Sequence, residues 1–199
     1  MTGFLKVFLP IYAIVFVLVV VFWRTLVLLR KTGINAYTQI RQQQGIHGVI
    51  SRYYRGLPLG SALTIALFLS PWYSVLSPIW WLEHNIFQYV GIGLLLCSMV
   101  WISIAQFQMG NAWRIGIDTS NKAGLVTHGV FAVSRNPIFF GIKLNSLGFC
   151  LIIPNALTLV ILLVGAVLIR VQVALEEEYL LSTYGDKYKV YCLQVRRWI

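Results

Sequence analysis

The feature that most constrains this chain is its first apolar run, about twenty residues from Phe4 to Trp23, interrupted only by Lys6 and Pro10. At 1.5 Å per residue, an α-helix of that length crosses a hydrocarbon layer about 30 Å thick. A secretory signal peptide is the competing interpretation. The run is too long for one, its amino-terminal charge is a single lysine, and no small-residue cleavage pattern follows it. The sequence therefore predicts a retained first span.

Four more apolar runs predict further spans. With the first, the predicted limits are 4–23, 57–76, 87–107, 138–153 and 156–173. Pro154 and Asn155 are predicted to turn the last two runs into a hairpin of short limbs, with local thinning of the bilayer. Gly91 and Gly93 are predicted to permit close packing between helices. We expect an all-α, polytopic integral membrane protein that forms one domain, with about five transmembrane helices.

The tail after the fifth run changes in character. Residues 174–199 read ALEEEYLLSTYGDKYKVYCLQVRRWI, which places three glutamates directly after an apolar run. Apolar side chains recur at helical spacing on one face, with a break at Gly185. The pattern predicts an amphipathic cytoplasmic helix at the carboxyl terminus.

The basic residues predict the orientation. The chain has 16 basic and 6 acidic residues, and a net charge of +10 could indicate nucleic-acid binding. No basic face on a soluble element supports that interpretation, whereas Lys and Arg collect in the cytoplasmic loops of membrane proteins. If the carboxyl terminus is cytoplasmic and the amino terminus outside, only Lys6, Lys143 and Arg170 fall elsewhere. We predict this orientation, with the basic stretch 24–55 as a cytoplasmic loop, and no nucleic-acid partner.

The cysteines and histidines do not form a recognisable ligand set. Their positions are Cys97, Cys150 and Cys192, and His47, His84 and His128. None has a partner at the spacing that a metal site requires. We predict free thiols and no metal.

Polar clusters at the ends of the last three runs are predicted to meet at the cytoplasmic face. Ionisable residues close to membrane spans are energetically expensive and usually face a cavity or a partner. Arg170 and Glu177 lie two turns apart on one helical face, so the sequence allows an ion pair between them. Such a pair is either structural or part of a site.

Four motifs in the second half of the chain carry a family resemblance. They are Met109 to Trp113 (MGNAW), Leu125 to Phe131 (LVTHGVF), Arg135 to Gly141 (RNPIFFG), and the spaced pattern from Glu176 to Arg197. In this order they resemble the isoprenylcysteine carboxyl methyltransferase family and the wider group of membrane phospholipid methyltransferases. The resemblance covers about residues 106–199. Asn136 and Phe139 stand where the family has histidine and tyrosine, which bears on the substrate and the detailed cofactor contacts.

The resemblance implies S-adenosylmethionine as cofactor, bound between the last two spans and the tail. It implies methyl transfer to a lipophilic acceptor, either an isoprenylcysteine-type carboxylate or a lipid amine, that enters from the bilayer. The residues expected to bind the cofactor are Gln106, Trp113, Leu125, Val126, Arg135, Asn136, Pro137, Phe139, Gly141, Glu176, Glu177 and Tyr188. Arg170, Glu177 and Arg197 are the expected catalytic residues, with arginines orienting an anionic acceptor or a glutamate accepting a proton from an amine.

Two alternatives remain open from the sequence. Membrane sterol reductases share similar motifs but bind NADPH, and they usually carry more spans and an acidic residue where Ile142 and Lys143 stand here. A non-catalytic membrane scaffold would explain the changes at Asn136 and Phe139. The sequence does not identify the acceptor, the particular membrane or the oligomeric state.

Overall fold

The computed structural model describes residues 1–33, 45–110 and 124–199, apart from the side chains of Thr32 and of most residues from 45 to 55. Within that part of the chain the regular elements are helices and no strand occurs. The α-helices are α1 (Thr2–Phe16), α2 (Arg24–Thr32), α3 (Gly45–Leu69), α4 (Asn85–Met109), α5 (Pro137–Ile152), α6 (Ala156–Tyr184) and α7 (Asp186–Gln194). This confirms the all-α class.

Helices α1 and α2 form one continuous apolar helix, joined by a π-helical segment at Val17–Trp23. The helix continues beyond the predicted limit at residue 23 and ends where Gly33 adopts a positive φ of 70°. Arg30 and Lys31 occupy its last turn, where basic side chains interact favourably with the helix dipole. The prediction of a loop from residue 24 is therefore wrong for this segment.

Helix α3 also differs from the predicted span, because it begins at Gly45 and ends at Leu69 rather than covering 57–76. The early end has a local cause, since Pro71 disfavours helical geometry at Ser70. Short 3₁₀ turns follow, and Trp80 and Trp81 lie on them with 78% and 64% of their surface exposed. Exposed tryptophans suit the interface between a bilayer and water.

Helices α4 and α5 cross at two glycines, Gly91 and Gly148, where the two backbones approach each other closely. A Cβ atom on Gly91 would lie 2.7 Å from the carbonyl oxygen of Gly148, and one on Gly148 would lie 2.8 Å from that of Gly91. Gly93 meets no atom within 4 Å. The expected close packing is therefore found at Gly91 and not at Gly93.

A small polar cluster links α1, α4 and α5 inside the apolar bundle. The Tyr12 hydroxyl donates to the carbonyl of Leu95 at 2.9 Å, and Asn145 Nδ2 donates to the Tyr12 oxygen and to Ser98 Oγ. Leu5, Leu9 and Phe149 belong to the surrounding buried core. Within hydrocarbon these hydrogen bonds satisfy groups that lipid could not, and so they fix how the three helices face one another.

Helices α5 and α6 form the predicted hairpin. Asn155 is buried and caps α6 reciprocally with Thr158, with both bonds 3.0 Å long. The limbs are unequal, because α5 has 16 residues while α6 has 29 and continues through the glutamates to Tyr184. At 1.5 Å per residue these are about 24 and 44 Å. The expectation of two short limbs holds for α5 and is wrong for α6, since the polar sequence that ends the apolar run does not end the helix.

The surface of the bundle is apolar, with Val160, Leu163, Val164 and Val167 exposed along α6. Three helical stretches are long and apolar enough to cross a membrane, namely Thr2–Lys31, Asn85–Met109 and Ala156–Tyr184. Gly56–Leu69 and Pro137–Ile152 are shorter apolar helices. Apolar side chains all around such helices indicate a membrane environment.

Replacing Gly148 with alanine tests the helix crossing. We expect Gly148→Ala to cost about 1–3 kcal/mol and to lower the Tm in detergent by about 2–12 °C, because the new methyl group would force α4 and α5 apart. Thermal unfolding followed by circular dichroism measures the shift. Gly93→Ala is the control and should leave the Tm unchanged or raise it, and equal losses in both variants would contradict the packing described.

Candidate functional site

The carboxylate of Glu177, on α6, lies between two guanidinium groups. Its Oε1 accepts from Nε and Nη2 of Arg135, both at 3.2 Å, and its Oε2 accepts from Nε and Nη2 of Arg197 at 3.0 and 2.6 Å. Asn136 Nδ2 also donates to Oε1 at 3.2 Å. The side chains of Arg135 and Glu177 are only 12% exposed. We call Arg135, Asn136, Glu177 and Arg197 the latch.

The latch fastens the carboxyl-terminal segment across the start of α5. Arg135 Nη1 donates to the carbonyls of Cys192 and Val195 at 3.2 and 2.7 Å, and its backbone N–H donates to the carbonyl of Arg196. The buried Ser134 hydroxyl donates to the carbonyl of Arg197 at 3.2 Å. Sequence reasoning missed Ser134, because its partner is a backbone carbonyl 63 residues away that no local pattern indicates.

Every guanidinium nitrogen of Arg135 therefore has a partner within the protein, and both oxygens of Glu177 are occupied. Arg135 is one of the residues expected to bind the cofactor, and a ligand bound to its guanidinium would have to displace Glu177 or the tail carbonyls. Separating a buried ion pair costs about 3–5 kcal/mol. In this structure Arg135 and Glu177 bind each other, and Arg135 also binds the tail.

Arg170 lies away from the latch and makes no ion pair with Glu177 in the described part of the chain. It lines a groove between α5 and α6 together with Lys143, Ser146 and Leu147. Lys143 Nζ lies 3.2 Å from the ring centroid of Trp198, the residue that follows Arg197. Glu177 therefore pairs with Arg135 and Arg197, and Arg170 lies with Lys143 in a separate cationic region. Lys143 and Trp198 were not among the residues expected at the site.

Glu176 has a simpler environment than Glu177. It is half-buried and its Oε1 accepts from Gln172 Nε2 at 3.1 Å, one turn earlier on α6. Neighbouring Glu178 is exposed. Among the three glutamates, Glu176 is the one that is partly enclosed without being part of the latch.

Tyr188 lies in an apolar cluster in α7, where it is 3% exposed and packs with Tyr191, Val195 and Leu125. Tyr191 donates to the carbonyl of Phe131 at 2.6 Å. Burial raises the pKa of Tyr191 to about 12 and raises that of Tyr188 as well. Tyr188 and Leu125 were both expected at the cofactor. In the structure they pack in the same apolar cluster, which holds α7 against the segment before α5.

The remaining expected cofactor residues are dispersed. Gln106 Nε2 donates to the carbonyl of Val20 at 3.0 Å, the Pro137 carbonyl accepts from Trp101 Nε1 at 2.9 Å, and Gly141 packs against Ile102. Phe139 and Val126 are half-buried. Trp113 lies outside the described residues. The structure therefore brings together Arg135, Asn136, Glu177 and Arg197, and gives Gln106, Pro137 and Gly141 contacts that hold the helices.

The latch predicts how the tail responds to mutation. Glu177→Ala leaves the buried Arg135 without its carboxylate, so we expect a loss of about 3–5 kcal/mol and faster hydrogen exchange at residues 192–199. Hydrogen–deuterium exchange with mass spectrometry measures the second effect. Glu178→Ala, which removes an exposed charge from the adjacent position, is the control. Identical exchange in the two variants would contradict the latch.

The tyrosine cluster predicts an alkaline transition. Because the pKa of Tyr191 is raised from 10.0 to about 12 in the folded protein, its stabilising effect is complete below pH 10 and is lost as the pH rises towards 12. The loss is of the order of 2 kcal/mol. Thermal unfolding between pH 9 and 12 measures it. The slope of Tm against pH should be smaller in Tyr191→Phe, and an unchanged slope would contradict the assignment.

Comparison with known proteins identifies the family. The sequence pattern of the family described as phospholipid methyltransferase matches residues 86–187, just over half of the chain. The matched segment contains α4 without its first residue, all of α5 and α6, and three members of the latch, and it ends at the start of α7. Searches of curated proteins and of solved structures found no significant match. The protein belongs to the phospholipid methyltransferase family, a family of membrane methyltransferases.

Proposed function

We propose that the protein is an S-adenosylmethionine-dependent enzyme that methylates a lipophilic acceptor at the cytosolic face of a membrane. The observation that carries the proposal is the match of residues 86–187 to a methyltransferase family, within which Arg135, Asn136 and Glu177 meet between α5 and α6. A latch of this kind brings the carboxyl-terminal segment against the two helices where the resemblance puts the cofactor.

The residues present fit part of S-adenosylmethionine. When bound, this cofactor supplies an electrophilic methyl group on a sulfonium centre, together with a carboxylate, an ammonium group and ribose hydroxyls. Glu176 suits the ammonium group or the hydroxyls, because its carboxylate has one partner, Gln172, in the described part of the chain. The Arg135 guanidinium cannot bind the cofactor carboxylate while all its nitrogens are paired within the protein, so another hydrogen-bond donor has to bind that carboxylate. The half-buried Phe139 could pack beside the sulfonium, a cation–π contact worth about 0.5–2 kcal/mol.

The chain's contribution to methyl transfer is alignment and exclusion of water. Methyl transfer is an in-line displacement at carbon, and holding two reactants in line can supply about 7–11 kcal/mol. We assign this positioning role to Arg135, Glu177 and Arg197, since they set the tail on α5 and α6. If the acceptor is an amine, Glu176 is the better proton acceptor, because Glu177 is fully paired.

We further propose five membrane spans, with the amino terminus outside and the carboxyl terminus in the cytosol. Leu28 packs with Met109 and Ile138, so the ends of α2 and α4 lie beside the start of α5. At the opposite end, the turn at Asn155 pairs with Pro78. Alternation of α1–α2, α3, α4, α5 and α6 between these two ends supports the arrangement, and the positive-inside rule orients it.

Calorimetry on the detergent-purified full chain tests the proposal. We expect S-adenosylmethionine and its demethylated product to bind, and NADPH not to bind. Glu176→Gln should weaken binding of S-adenosylmethionine about 10- to 100-fold, because it removes a charged hydrogen-bond acceptor while keeping the shape of the side chain. Glu178→Gln provides the control, with unchanged affinity.

The outcomes separate the alternatives. Binding of NADPH alone would indicate a reductase and not a methyltransferase, and binding of none of the three ligands would indicate a non-catalytic membrane scaffold. Equal affinities in the two glutamine variants would remove Glu176 from the site. Transfer of a radiolabelled methyl group in native membrane extract, followed by identification of the labelled lipid, tests the reaction itself.

A further inference from the structure

The carboxyl-terminal helix α7 has two unlike faces. Tyr188 and Tyr191 are 3% and 5% exposed and pack in the apolar cluster that holds the helix to the rest of the protein. On the opposite side of the helix, Val190 and Leu193 are 53% and 88% exposed. Because they are three residues apart on a helix, these two apolar side chains are neighbours. The helix therefore presents an apolar patch that the described part of the chain does not cover.

Basic side chains surround this patch. Lys187, Lys189 and Arg196 are exposed, and the acidic residue of the segment, Asp186, pairs with Lys189 at 2.8 Å. Arg197 is not counted, because it belongs to the latch. Three basic groups against one carboxylate leave this side of the tail positively charged. We call the exposed apolar and basic side chains the outer face, namely Lys187, Lys189, Val190, Leu193 and Arg196. Such a combination is typical of helices that lie on an anionic membrane surface.

The path of the chain after α7 puts the outer face at the level of the bilayer surface. The backbone N–H of Arg135, two residues before α5 begins, donates to the carbonyl of Arg196 at 2.9 Å. Two residues further on, the ring of Trp198 lies 3.2 Å from Nζ of Lys143. Lys143 lies six residues after Pro137, or about 9 Å into α5. The tail therefore runs along α5, one of the five proposed spans, in the direction in which that helix enters the apolar layer.

We propose that the outer face docks on the bilayer that holds the protein, against the anionic headgroups of the leaflet at the latch end. Val190 and Leu193 then reach the boundary between headgroups and acyl chains, and the three basic side chains bind lipid phosphates. Charge complementarity is the argument for an anionic partner, and the position beside the start of α5 is the argument for a membrane. The inference uses the proposed span of α5 and goes beyond the proposed function, because it involves neither the cofactor nor the acceptor. Because the latch fastens the same segment, anionic lipid also stabilises the latch.

Hydrogen–deuterium exchange with mass spectrometry on the full chain in lipid nanodiscs tests this docking. The discs contain phosphatidylcholine alone, or equal parts of phosphatidylcholine and phosphatidylglycerol. We expect exchange at residues 187–196 to be about tenfold slower in the anionic discs, because each basic side chain near an anionic leaflet contributes a factor of about five in affinity. At about 1 M salt, where the Debye length is about 3 Å, most of the difference should disappear.

Two variants of the outer face separate its charge from its apolar patch. Lys187→Gln/Arg196→Gln should lose most of the difference between the discs, because it removes two of the three basic groups. Leu193→Ser should also reduce the protection in the anionic discs, because it removes the most exposed apolar side chain of the patch. The matched control is Arg30→Gln/Lys31→Gln, which removes the same charge from exposed positions at the end of α2 and should behave as the wild type does.

Three outcomes would overturn the docking. Equal exchange of the wild-type tail in the two kinds of disc would show that anionic lipid does not bind it, and equal loss of protection in the control would reduce the effect to net charge. If polyglutamate added to neutral discs slowed exchange as much as anionic lipid does, the outer face would be a site for an acidic protein. The comparison of the two discs on the wild type needs no variant to fold. Because the cofactor is absent, a failure here is distinguishable from a failure to bind S-adenosylmethionine.

Discussion

The placement of the carboxyl-terminal segment depends on one interaction, the carboxylate of Glu177 shared between Arg135 and Arg197. One charged group joins the last third of a long helix, the start of another and the last residues of the chain. Glu177 and Arg135 are largely removed from water, whereas Arg197 is half-exposed, so removing either buried member would leave the other charge unpaired in a buried position. Trp198, which lies over Lys143, directly follows Arg197 in the chain.

The latch also separates two roles that the sequence could not distinguish. Adjacent glutamates on α6 differ by about 100° in direction, so Glu177 is buried among arginines while Glu176 faces Gln172. The first pairs with two arginines, and the second accepts a hydrogen bond from Gln172.

Much of the fold could be predicted from hydrophobicity, and the causes of the failures are local. The runs after Phe87 and Ile138 became helices α4 and α5 within two residues of their predicted limits, because turns and Pro137 bound them. Helix α6 was predicted too short, since a drop in hydrophobicity marks the edge of a membrane and not the end of hydrogen bonding. Arg135 and Glu177 were both expected at the cofactor, but their pairing with each other could not be predicted, because 42 residues separate them. Lys143 and Trp198 carry no motif, and only the folded chain brings them together.

The π-helical segment at Val17–Trp23 has a consequence for how the first helix can vary. A π turn accommodates one extra residue in an α-helix, which rotates everything after it by about 100°. That rotation lets Leu5 and Leu9 pack into the core while Arg24, a few turns later, donates to the carbonyl of Gly110 at 2.8 Å. Gln106 supplies a donor to the backbone carbonyl of Val20 within the widened turn. One apolar side chain in this segment can therefore replace another, but the number of residues in it has to stay the same. A single deletion would rotate one half of the helix relative to the other.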